Sequence, residues 1–449
     1  MVPKGKDVAT SHDPAQKVLA AQAPAPLHSG HTMSGDNTSS HSPLTGLTVL
    51  DLTLALAGPF ATFLLAGLGA RVIKIENPES PDPCRQNPPY LGRGGVSLGR
   101  TQADDVSVSA LNRLRGKYGV TLNLKQAGAR DVFARFLRQA DIVVENFSAG
   151  TLDRLGVGYS FARAINPRVI YCSISGFGAA QAPGTGKAMD TIIQALSGLM
   201  MTSGTPEEPP VRVGVPVADL LAPVFGVVGI LAALRQREVT GAGQHVDVSM
   251  LGVLTSLVAA EPFDLLEACG LPQRTGRVVP RLTPFGIYES ADGHVAICAP
   301  TEQFARGVFA AIGHPEFEQD PRFATRDARV AHVNEINAHI ESFTRTCPTA
   351  ELLPLLERHR VPAAEVRVPR DAVRDPRVLA RGETMPLEHP EFGQVADVVG
   401  MGIPITFSDA RTASARPAPS VGQDNALVYG EWLGYGRSGV EELQAAGII

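Results

Sequence analysis

Cysteine is scarce in this chain of 449 residues, and its pattern argues against two common kinds of site. The odd number and wide spacing, with no C-x-x-C motif, are not typical of a disulfide framework or of a cysteine zinc site. The eleven histidines also lack metal-ligand spacing, so we expect no metal. Reduced thiols favour a cytoplasmic location. The five cysteines are Cys84, Cys172, Cys269, Cys298 and Cys347.

An excess of positive charge and a long hydrophobic run are also missing. Lys and Arg number 40 and Asp and Glu 45, which gives a net charge of −5. A nucleic-acid-binding protein would favour a strongly basic face. The most apolar stretch, residues 220–234, is shorter than the roughly 18 residues of a membrane span and is typical of a packed core helix. We therefore expect neither a nucleic-acid partner nor a membrane span.

Hydrophobic periodicity is absent from residues 1–43, which are rich in Ser, Ala, Pro and His. Such a composition predicts a disordered tail. The segment contains no Arg, carries aspartates such as Asp7 and Asp13, and lacks an apolar core, so it is typical of neither a mitochondrial transit peptide nor a secretory signal.

From residue 47 onward, apolar strand patterns alternate with helical patterns. This alternation predicts a doubly wound, Rossmann-like α/β sheet. The Pro- and Gly-rich residues 78–99 predict a long loop. The predicted strands are 47–53, 70–77, 119–124, 141–147, 168–175 and 244–250. The predicted helices are 58–67, 126–139, 190–203, 217–236 and 251–269.

The pattern changes after residue 269. We assign residues 44–269 to the large α/β domain and 270–283 to a linker. Residues 284–370 open with a predicted hairpin around Asp292-Gly293, a pair that suits a tight turn, and continue with helices that have polar faces. They predict a smaller α+β domain. We expect residues 371–449 to provide a second linker and a return to the large domain.

Two glycine motifs fail as nucleotide sites. Gly67-Leu68-Gly69 closes a predicted helix and precedes a strand, the reverse of the dinucleotide fingerprint. Residues 184–187 resemble the end of a phosphate-binding loop, but Ala188 follows Lys187 where Ser or Thr is needed.

Asp190 is the carboxylate with the most chemical promise. It lies between a glycine-rich segment, residues 176–186, and an apolar helix. A carboxylate there can attack an activated acyl group and become a mixed anhydride, while glycine backbone N–H groups approach the oxyanion. From these residues alone, a helix N-cap is the better-supported role for Asp190. Asp51, Asp219 and Asp247 likewise fit strand-end or capping positions.

A series of sequence blocks, in a fixed order along the chain, favours a catalytic role for Asp190 over a capping role. From about Leu44 to the C-terminus, the chain resembles the family III CoA-transferases, the group that contains formyl-CoA transferase and carnitine CoA-transferase. Any one block is weak, but their order is very specific. The blocks are LTGLTVLDLTLALAGPFATFLLAGLGARVIKIENP, GVTLNLK, DIVVENFSAGTLDRLGVGY, NPRVIYCSISGFG, MDTIIQALSGLMMTSG, TGAGQHVDVSM, DPRFATRDARVAH and RPAPSVGQDN.

The resemblance implies an enzyme that moves CoA between carboxylic acids, with Asp190 as the nucleophile. Acyl-CoA would give an aspartyl anhydride, then an aspartyl-CoA thioester, and the acceptor acid would take the CoA. The CoA thioester is a substrate, and no tightly bound cofactor is implied. The family fold implies an interlocked homodimer.

The resemblance also carries CoA-contacting positions onto this chain. The positive charges of Lys125 and Arg154 suit the nucleotide phosphates or the adenine edge. The residue before the nucleophile is Met189 rather than the usual aromatic, and Asn77 and Leu56 also depart from the formyl-CoA transferase pattern. These departures weaken the expectation of formyl or oxalyl specificity. The implied positions are Ala57, Gly58, Pro59, Lys125, Asn146, Phe147 and Arg154.

Two other functions stay open. A 2-methylacyl-CoA racemase shares the fold, but the His that precedes the racemase aspartate is missing here, where Met189 stands. A non-catalytic acyl-CoA-binding protein is the other alternative. If the acid substrate is a dicarboxylate, Arg212 is a candidate partner for its second carboxylate, although a surface position fits Arg212 equally well.

Overall fold

The computed structural model describes residues 42–179, 187–391, 393–413 and 416–449. The chain divides into two compact units. The first comprises Met1–Ile193, Val215–Leu254 and Pro376–Ile449, and the second comprises Gln194–Gly214 and Thr255–Asp375. The domain boundaries given above stay predictions.

The strands and helices of the described residues are numbered in chain order. The strands are β1 Thr48–Asp51, β2 Arg71–Glu76, β3 Tyr90–Gly92, β4 Gly95–Ser97, β5 Val106–Ser107, β6 Lys117–Thr121, β7 Ile142–Glu145, β8 Ile170–Ser175, β9 His245–Ser249, β10 Phe285–Glu289, β11 His294–Cys298, β12 Ala363–Glu365, β13 Thr384–His389 and β14 Gly393–Met401. The helices are α1 Ala57–Gly67, α2 Val108–Arg113, α3 Ala129–Gln139, α4 Thr151–Arg154, α5 Tyr159–Ile165, α6 Asp190–Leu196, α7 Val217–Thr240, α8 Met250–Val258, α9 Phe263–Ala268, α10 Glu302–Ala311, α11 Arg326–Ala331, α12 Val333–Thr344, α13 Thr349–Arg358, α14 Pro369–Ala372, α15 Pro376–Ala380 and α16 Gly436–Ala445. A π-helical segment spans Ala426–Trp432.

The first unit is built on a parallel six-stranded sheet with the order β6-β2-β1-β7-β8-β9. Numbered along the chain within this sheet, the order is 3-2-1-4-5-6, which is the Rossmann order. The prediction of a parallel, doubly wound sheet is therefore confirmed. The order reverses between β1 and β7, where Val49 pairs with Ile142. Ligands of such sheets bind at the carboxyl ends of the strands beside this switch point.

Helices cover both faces of this sheet, which explains why most of its strand residues are buried. On one face, α7 packs against α1, β8 and β9. On the other face, Phe133 and Phe136 of α3 join a core completed by the C-terminal residues Tyr429 and Ile448. The segment 376–449 thus supplies part of the first unit's hydrophobic core.

Helix α7 is four residues longer than predicted. Among the described residues, it is the one helix whose length and composition would suffice to cross a membrane, a test that core helices of soluble proteins also pass. Its packing against the sheet and α1 accounts for its buried side, and its other side carries exposed apolar residues.

The prediction of a long loop over residues 78–99 was wrong. A 3-10 turn spans Pro83–Gln86, and strands β4-β3-β5 form a small antiparallel sheet that follows it. Cys84, Leu91 and Leu111 form a separate apolar core with Leu387. Strands of two or three residues do not produce a readable alternation, so Pro and Gly dominated the pattern.

Two predicted helices were too long. The helix expected over 190–203 ends at Leu196, because Gly198 takes a left-handed conformation with φ of +82°. The helix expected over 251–269 is two helices, α8 and α9, with Pro262 at the start of the second.

The second unit contains the predicted hairpin. Strands β10 and β11 pair antiparallel, and β12 joins β11 on its other edge. Apolar side chains of α10, α12 and α13 cover this sheet, with Phe309, Ile340 and Leu356 fully buried. The hairpin prediction for residues 284–300 is confirmed.

Candidate active site

Asp190 opens helix α6, and its side chain is nine-tenths buried. The backbone N–H of Ala218, in the first turn of α7, donates to Oδ1 of Asp190 over 2.8 Å. The positive end of the α7 dipole favours a negative charge at this position. The carboxylate is thus held by the start of a second helix, far along the chain.

Gly176 permits the close approach of the segment before Asp190. A Cβ added at Gly176 would lie 2.1 Å from the Cβ of Ala188, closer than real Cβ contacts allow. The glycine that follows β8 therefore allows the segment before α6 to pack close to the end of the strand. Residues 180–186 of the predicted oxyanion loop lie outside the described residues, so that role stays a prediction.

Asn146 joins the end of β7 to the β1–α1 loop, residues 52–56. Its Oδ1 accepts from the N–H of Leu54 over 2.7 Å, and its Nδ2 donates to the Leu54 carbonyl over 2.8 Å. A Cβ on Gly58 would lie 2.3 Å from Cβ of Thr53 and 2.9 Å from Cγ of Asn146. The structure thus brings the predicted positions Ala57, Gly58, Pro59 and Asn146 together at the switch point.

A fully buried ionic network contacts the β1–α1 loop. Nζ of Lys117 donates to Oδ2 of Asp51 over 2.9 Å, and Lys74 forms an ion pair with Oδ2 of Asp82 over 2.9 Å. Lys74 also donates to the Thr53 carbonyl. Burial alone would raise the pKa of Asp51, but Lys117 and Lys74 outweigh it and lower that pKa to about 2. Asp51 is therefore an anion inside the protein.

The remaining predicted CoA positions follow the carboxyl ends of β6 and β7. Phe147 is half-buried, and its N–H donates to Oε2 of Glu145 over 2.8 Å. Arg154 is exposed at the end of α4 and donates to Oγ1 of Thr151 over 2.9 Å. Lys125 is exposed in the turn after β6. Since the strands are parallel, these residues lie at the same edge of the sheet as the β1–α1 loop.

Asp219 is a second carboxyl close to Asp190 that we had assigned to a capping role. Burial, and then the charge of Asp190, raise its pKa to about 6, while the charge of Arg113 opposes the shift. Arg113 ends α2, and its Nη1 donates to the Ala55 carbonyl over 3.0 Å. Burial lowers the pKa of Arg113. Since α1 packs against both α2 and α7, these groups gather around the start of α1.

A pocket of about 290 Å³ is lined by residues of β7, β8 and β9 and of the segments that follow β7. Ser173 and His245 approach each other in its wall, with 2.9 Å between Oγ and Nε2. Burial raises the pKa of Glu145 and lowers that of His245. The lining also includes Asp153 and Asp247, but not Asp190. The structure thus separates this acidic pocket from the candidate nucleophile.

The comparison with protein families decides what kind of enzyme this site belongs to. Residues 44–425 match CoA-transferase family III, by far the greater part of the chain. The chain belongs to CoA-transferase family III. The resemblance drawn from the ordered sequence blocks is therefore confirmed.

Proteins named as CoA-transferases share about a third of their residues with this chain. It is 34% identical over 400 residues to the succinate–glutarate CoA-transferase of Agrobacterium fabrum, covering 88% of this chain and 97% of the relative. It is 38% identical over 354 residues to the acetyl-CoA:oxalate CoA-transferase of Acetobacter aceti, covering 77% and 87%. A crystal structure of a CAIB/BAIF family protein from Brucella suis is 32% identical, with a TM-score of 0.74 over 87% of this chain and 99% of that one.

Sequence reasoning missed three features of this family III site. Asp219 and Arg113 lie in helices whose local patterns are ordinary, so no sequence signal indicated that Asp219 is affected by both Asp190 and Arg113. The buried lysine network did leave a signal. Lys74 stands between the apolar residues Ile73 and Ile75 in the strand RVIKIE, and a buried lysine there requires an internal partner.

Proposed function

We propose that this family III CoA-transferase moves CoA from an acyl-CoA to a free dicarboxylic acid, with Asp190 as the acyl carrier. The observation that carries the proposal is the buried Asp190 carboxylate, fixed by the Ala218 N–H beside the start of α1. The names of the two relatives, which specify succinate, glutarate and oxalate, support a dicarboxylic acid as the acceptor.

The reaction needs no water, proton or electron from outside. The Asp190 carboxylate attacks the thioester carbonyl carbon, and the C–S bond breaks. The CoA thiolate departs, and the acyl group stays on Asp190 as an aspartyl anhydride. The thiolate then attacks the Asp190 carbonyl, which releases the first acid and forms an aspartyl-CoA thioester. The acceptor carboxylate repeats these two steps in reverse, so Asp190 is regenerated and a new acyl-CoA leaves. The Ala218 hydrogen bond holds the carboxylate in one orientation for both attacks.

CoA binds, in this proposal, along the switch-point edge of the sheet. The backbone of Ala57, Gly58 and Pro59 lies beside Asn146. A CoA molecule that crosses the start of α1 would therefore pass both segments. Lys125 and Arg154 are exposed and positively charged, which suits the phosphates at the nucleotide end. CoA acts as a substrate here, not as a bound cofactor.

The working enzyme, in this proposal, is an interlocked homodimer. Helix α7 exposes a row of apolar residues at helical spacing: Val224, Phe225, Val228 and Leu231 are 38–58% exposed. Met189, directly before the nucleophile, is 75% exposed. Contiguous apolar surface of this kind marks a protein interface, and a second copy of the chain would cover it.

An exchange assay with covalent trapping tests the proposal. Purified enzyme is mixed with succinyl-CoA or acetyl-CoA and a panel of free acids, and acyl-CoA products are followed by mass spectrometry. Hydroxylamine is added to parallel samples, because it converts an aspartyl anhydride or thioester into a hydroxamate that peptide mapping can locate. We expect new acyl-CoA species, and a hydroxamate on Asp190.

Asp190→Asn should abolish both signals, and Asp131→Asn, on the exposed start of α3, should change neither. Exchange at the wild-type rate in Asp190→Asn would refute Asp190 as the carrier. Deuterium incorporation at C2 of a 2-methylacyl-CoA, without exchange, would support a racemase instead.

A further inference from the structure

Arg113 contacts the β1–α1 loop and acts on Asp219, the carboxyl that the candidate nucleophile also acts on, and it has no part in the exchange chemistry described above. It ends α2, is half-buried, and uses Nη1 to bind the Ala55 carbonyl over 3.0 Å. Within the described part of the chain, this is the hydrogen bond that its guanidinium makes. A guanidinium has five N–H donors in a planar fork, so a face suited to a carboxylate is left for a ligand.

The charges around Arg113 give such a ligand a reason to bind there. Asp190 and Asp219 bring two carboxyl groups to the same place, one nine-tenths buried and one partly buried. A dicarboxylic acid brings two more. Without a positive charge, its second carboxylate would enter a region of like charge, which is unfavourable. Arg113, which acts on Asp219 electrostatically, supplies a positive charge there.

We propose that Arg113 binds the second, non-reacting carboxylate of the acid substrate, and that Asp219 is the counter-charge that tunes this binding. The inference deepens the proposed function and rests on it, because it names the residue that selects dicarboxylic over monocarboxylic acids. Asp219 partly neutralises Arg113 in the empty site, so the substrate carboxylate competes with Asp219 for the guanidinium.

Arg212, the sequence-based candidate for this role, is less suited to it. Arg212 is exposed, and its Nη1 donates to the carbonyls of its own neighbours Val213 and Gly214 over 3.0 and 3.3 Å. Arg212 therefore serves as the comparison in the experiment below.

The pair should make acid binding depend on pH. The charged groups that act on Asp219 are Asp190 and Arg113, and those that act on Arg113 are Cys84, Asp82 and Asp219. Helix α1, AGPFATFLLAG, packs against α7 and has no titratable side chain. With the pKa of Asp219 at about 6, the Arg113–Asp219 pair is neutral above that pH and carries one positive charge below it. The KM for a dicarboxylate should therefore rise as the pH increases from 5.5 to 7.5.

The experiment compares succinate with propionate, an acid of similar length that lacks the second carboxylate. Acetyl-CoA is the donor, and kcat and KM for each acid are measured for the wild type, Arg113→Gln, Arg113→Lys, Arg212→Gln and Asp219→Asn. Arg113→Gln should lower the succinate-to-propionate ratio of kcat/KM at least about tenfold, mainly through the KM for succinate. The ratio for Arg113→Lys should lie between those of Arg113→Gln and the wild type, since lysine keeps the positive charge but lacks the planar guanidinium.

Asp219→Asn should act in the opposite direction. It should lower the KM for succinate at pH 7.5 and flatten the change in KM between pH 5.5 and 7.5, an improvement that damaged folding cannot produce. The substrate ionises identically with both proteins, so the wild-type comparison removes that contribution. Arg212→Gln should keep the wild-type ratio.

Three results would overturn the inference: an unchanged ratio in Arg113→Gln, an equal loss for both acids, or a loss of selectivity in Arg212→Gln instead. A wild-type enzyme that accepts propionate but not succinate would also refute it while leaving the transferase function intact. A wild-type enzyme that exchanges with no acid would refute the proposed function itself.

Discussion

Asn146 and Leu54 hold each other through two hydrogen bonds of 2.7 and 2.8 Å, one accepted and one donated by the Asn146 amide. The side-chain amide thereby pairs with both backbone polar groups of Leu54, as the backbone of a neighbouring strand would. The two bonds fix the distance between the loop after β1 and the end of β7, the two sides of the switch point.

Asn146→Ala should weaken both the fold and CoA binding. The change removes two bonds and leaves the N–H and carbonyl of Leu54 without these partners, which costs about 2 kcal/mol of unfolding free energy. The dissociation constant for CoA should rise about tenfold, because the loop before α1 is no longer fixed. Urea unfolding and titration calorimetry with CoA measure the two effects.

Asn166→Ala is the matched control for that prediction. Nδ2 of Asn166 donates to the carbonyls of Leu137 and Ala140 over 3.0 and 2.9 Å, away from the switch point. This variant should lose stability to a similar extent and keep its affinity for CoA. Equal CoA affinity in the two variants would contradict the role given to Asn146.

Gly176→Ala should slow catalysis. The new methyl group would lie 2.1 Å from the Cβ of Ala188, so the chain that enters α6 must shift and carry Asp190 with it. A displacement of about 1 Å at a reacting group can cost about 100-fold in rate, so we expect kcat to fall at least about tenfold. Gly214→Ala, where an added Cβ meets nothing within 4 Å, should leave kcat unchanged. Steady-state kinetics decide, and two equal values of kcat would contradict the steric argument.

Lys117→Met should destabilise the first unit strongly. Lys117 is fully buried and pairs with Asp51, so its loss leaves a buried carboxylate with one lysine fewer. Removing one partner of a buried pair typically costs about 3–5 kcal/mol. Lys187→Met makes the same chemical change at an exposed position and should alter the unfolding free energy by less than about 0.5 kcal/mol. Chemical denaturation that shows similar values for both variants would mean that the network adds little to stability.

Phe225→Glu should disrupt the dimer. Phe225 lies on the exposed apolar face of α7, and a charged side chain there would be buried without a partner when a second copy packs on it. Light scattering after size-exclusion chromatography should show a fall in average mass. Leu98→Glu changes another exposed apolar residue, away from α7, and should keep the dimer. A monomeric wild type, or an unaffected Phe225→Glu variant, would contradict the proposed interface.

Local sequence patterns predicted the parallel sheet and its helices but not the contacts between side chains distant in sequence. The strands of the parallel sheet were predicted because apolar residues recur along each of them and a helical pattern lies next to each. The Asp51–Lys117 pair could not be predicted in the same way, since 66 residues separate its members and only strand packing brings them together. The same limit applies to Asp190 with Ala218, and to Asp219 with Arg113. Family resemblance supplied Asp190 as the candidate nucleophile, because the order of the sequence blocks carries information that no single residue displays.

The sharing of the first core between distant segments has a consequence for synthesis. That core contains Tyr429 and Ile448, whereas the core of the second unit is complete at Val361. On a ribosome the second unit can therefore close while the parallel sheet waits for its last apolar residues. At roughly 5–20 residues per second, the 87 residues from 361 to 448 take about 4–17 seconds. During that interval the core that Phe133 and Phe136 share with the C-terminal residues stays incompletely covered, so the nascent chain exposes apolar surface that favours aggregation.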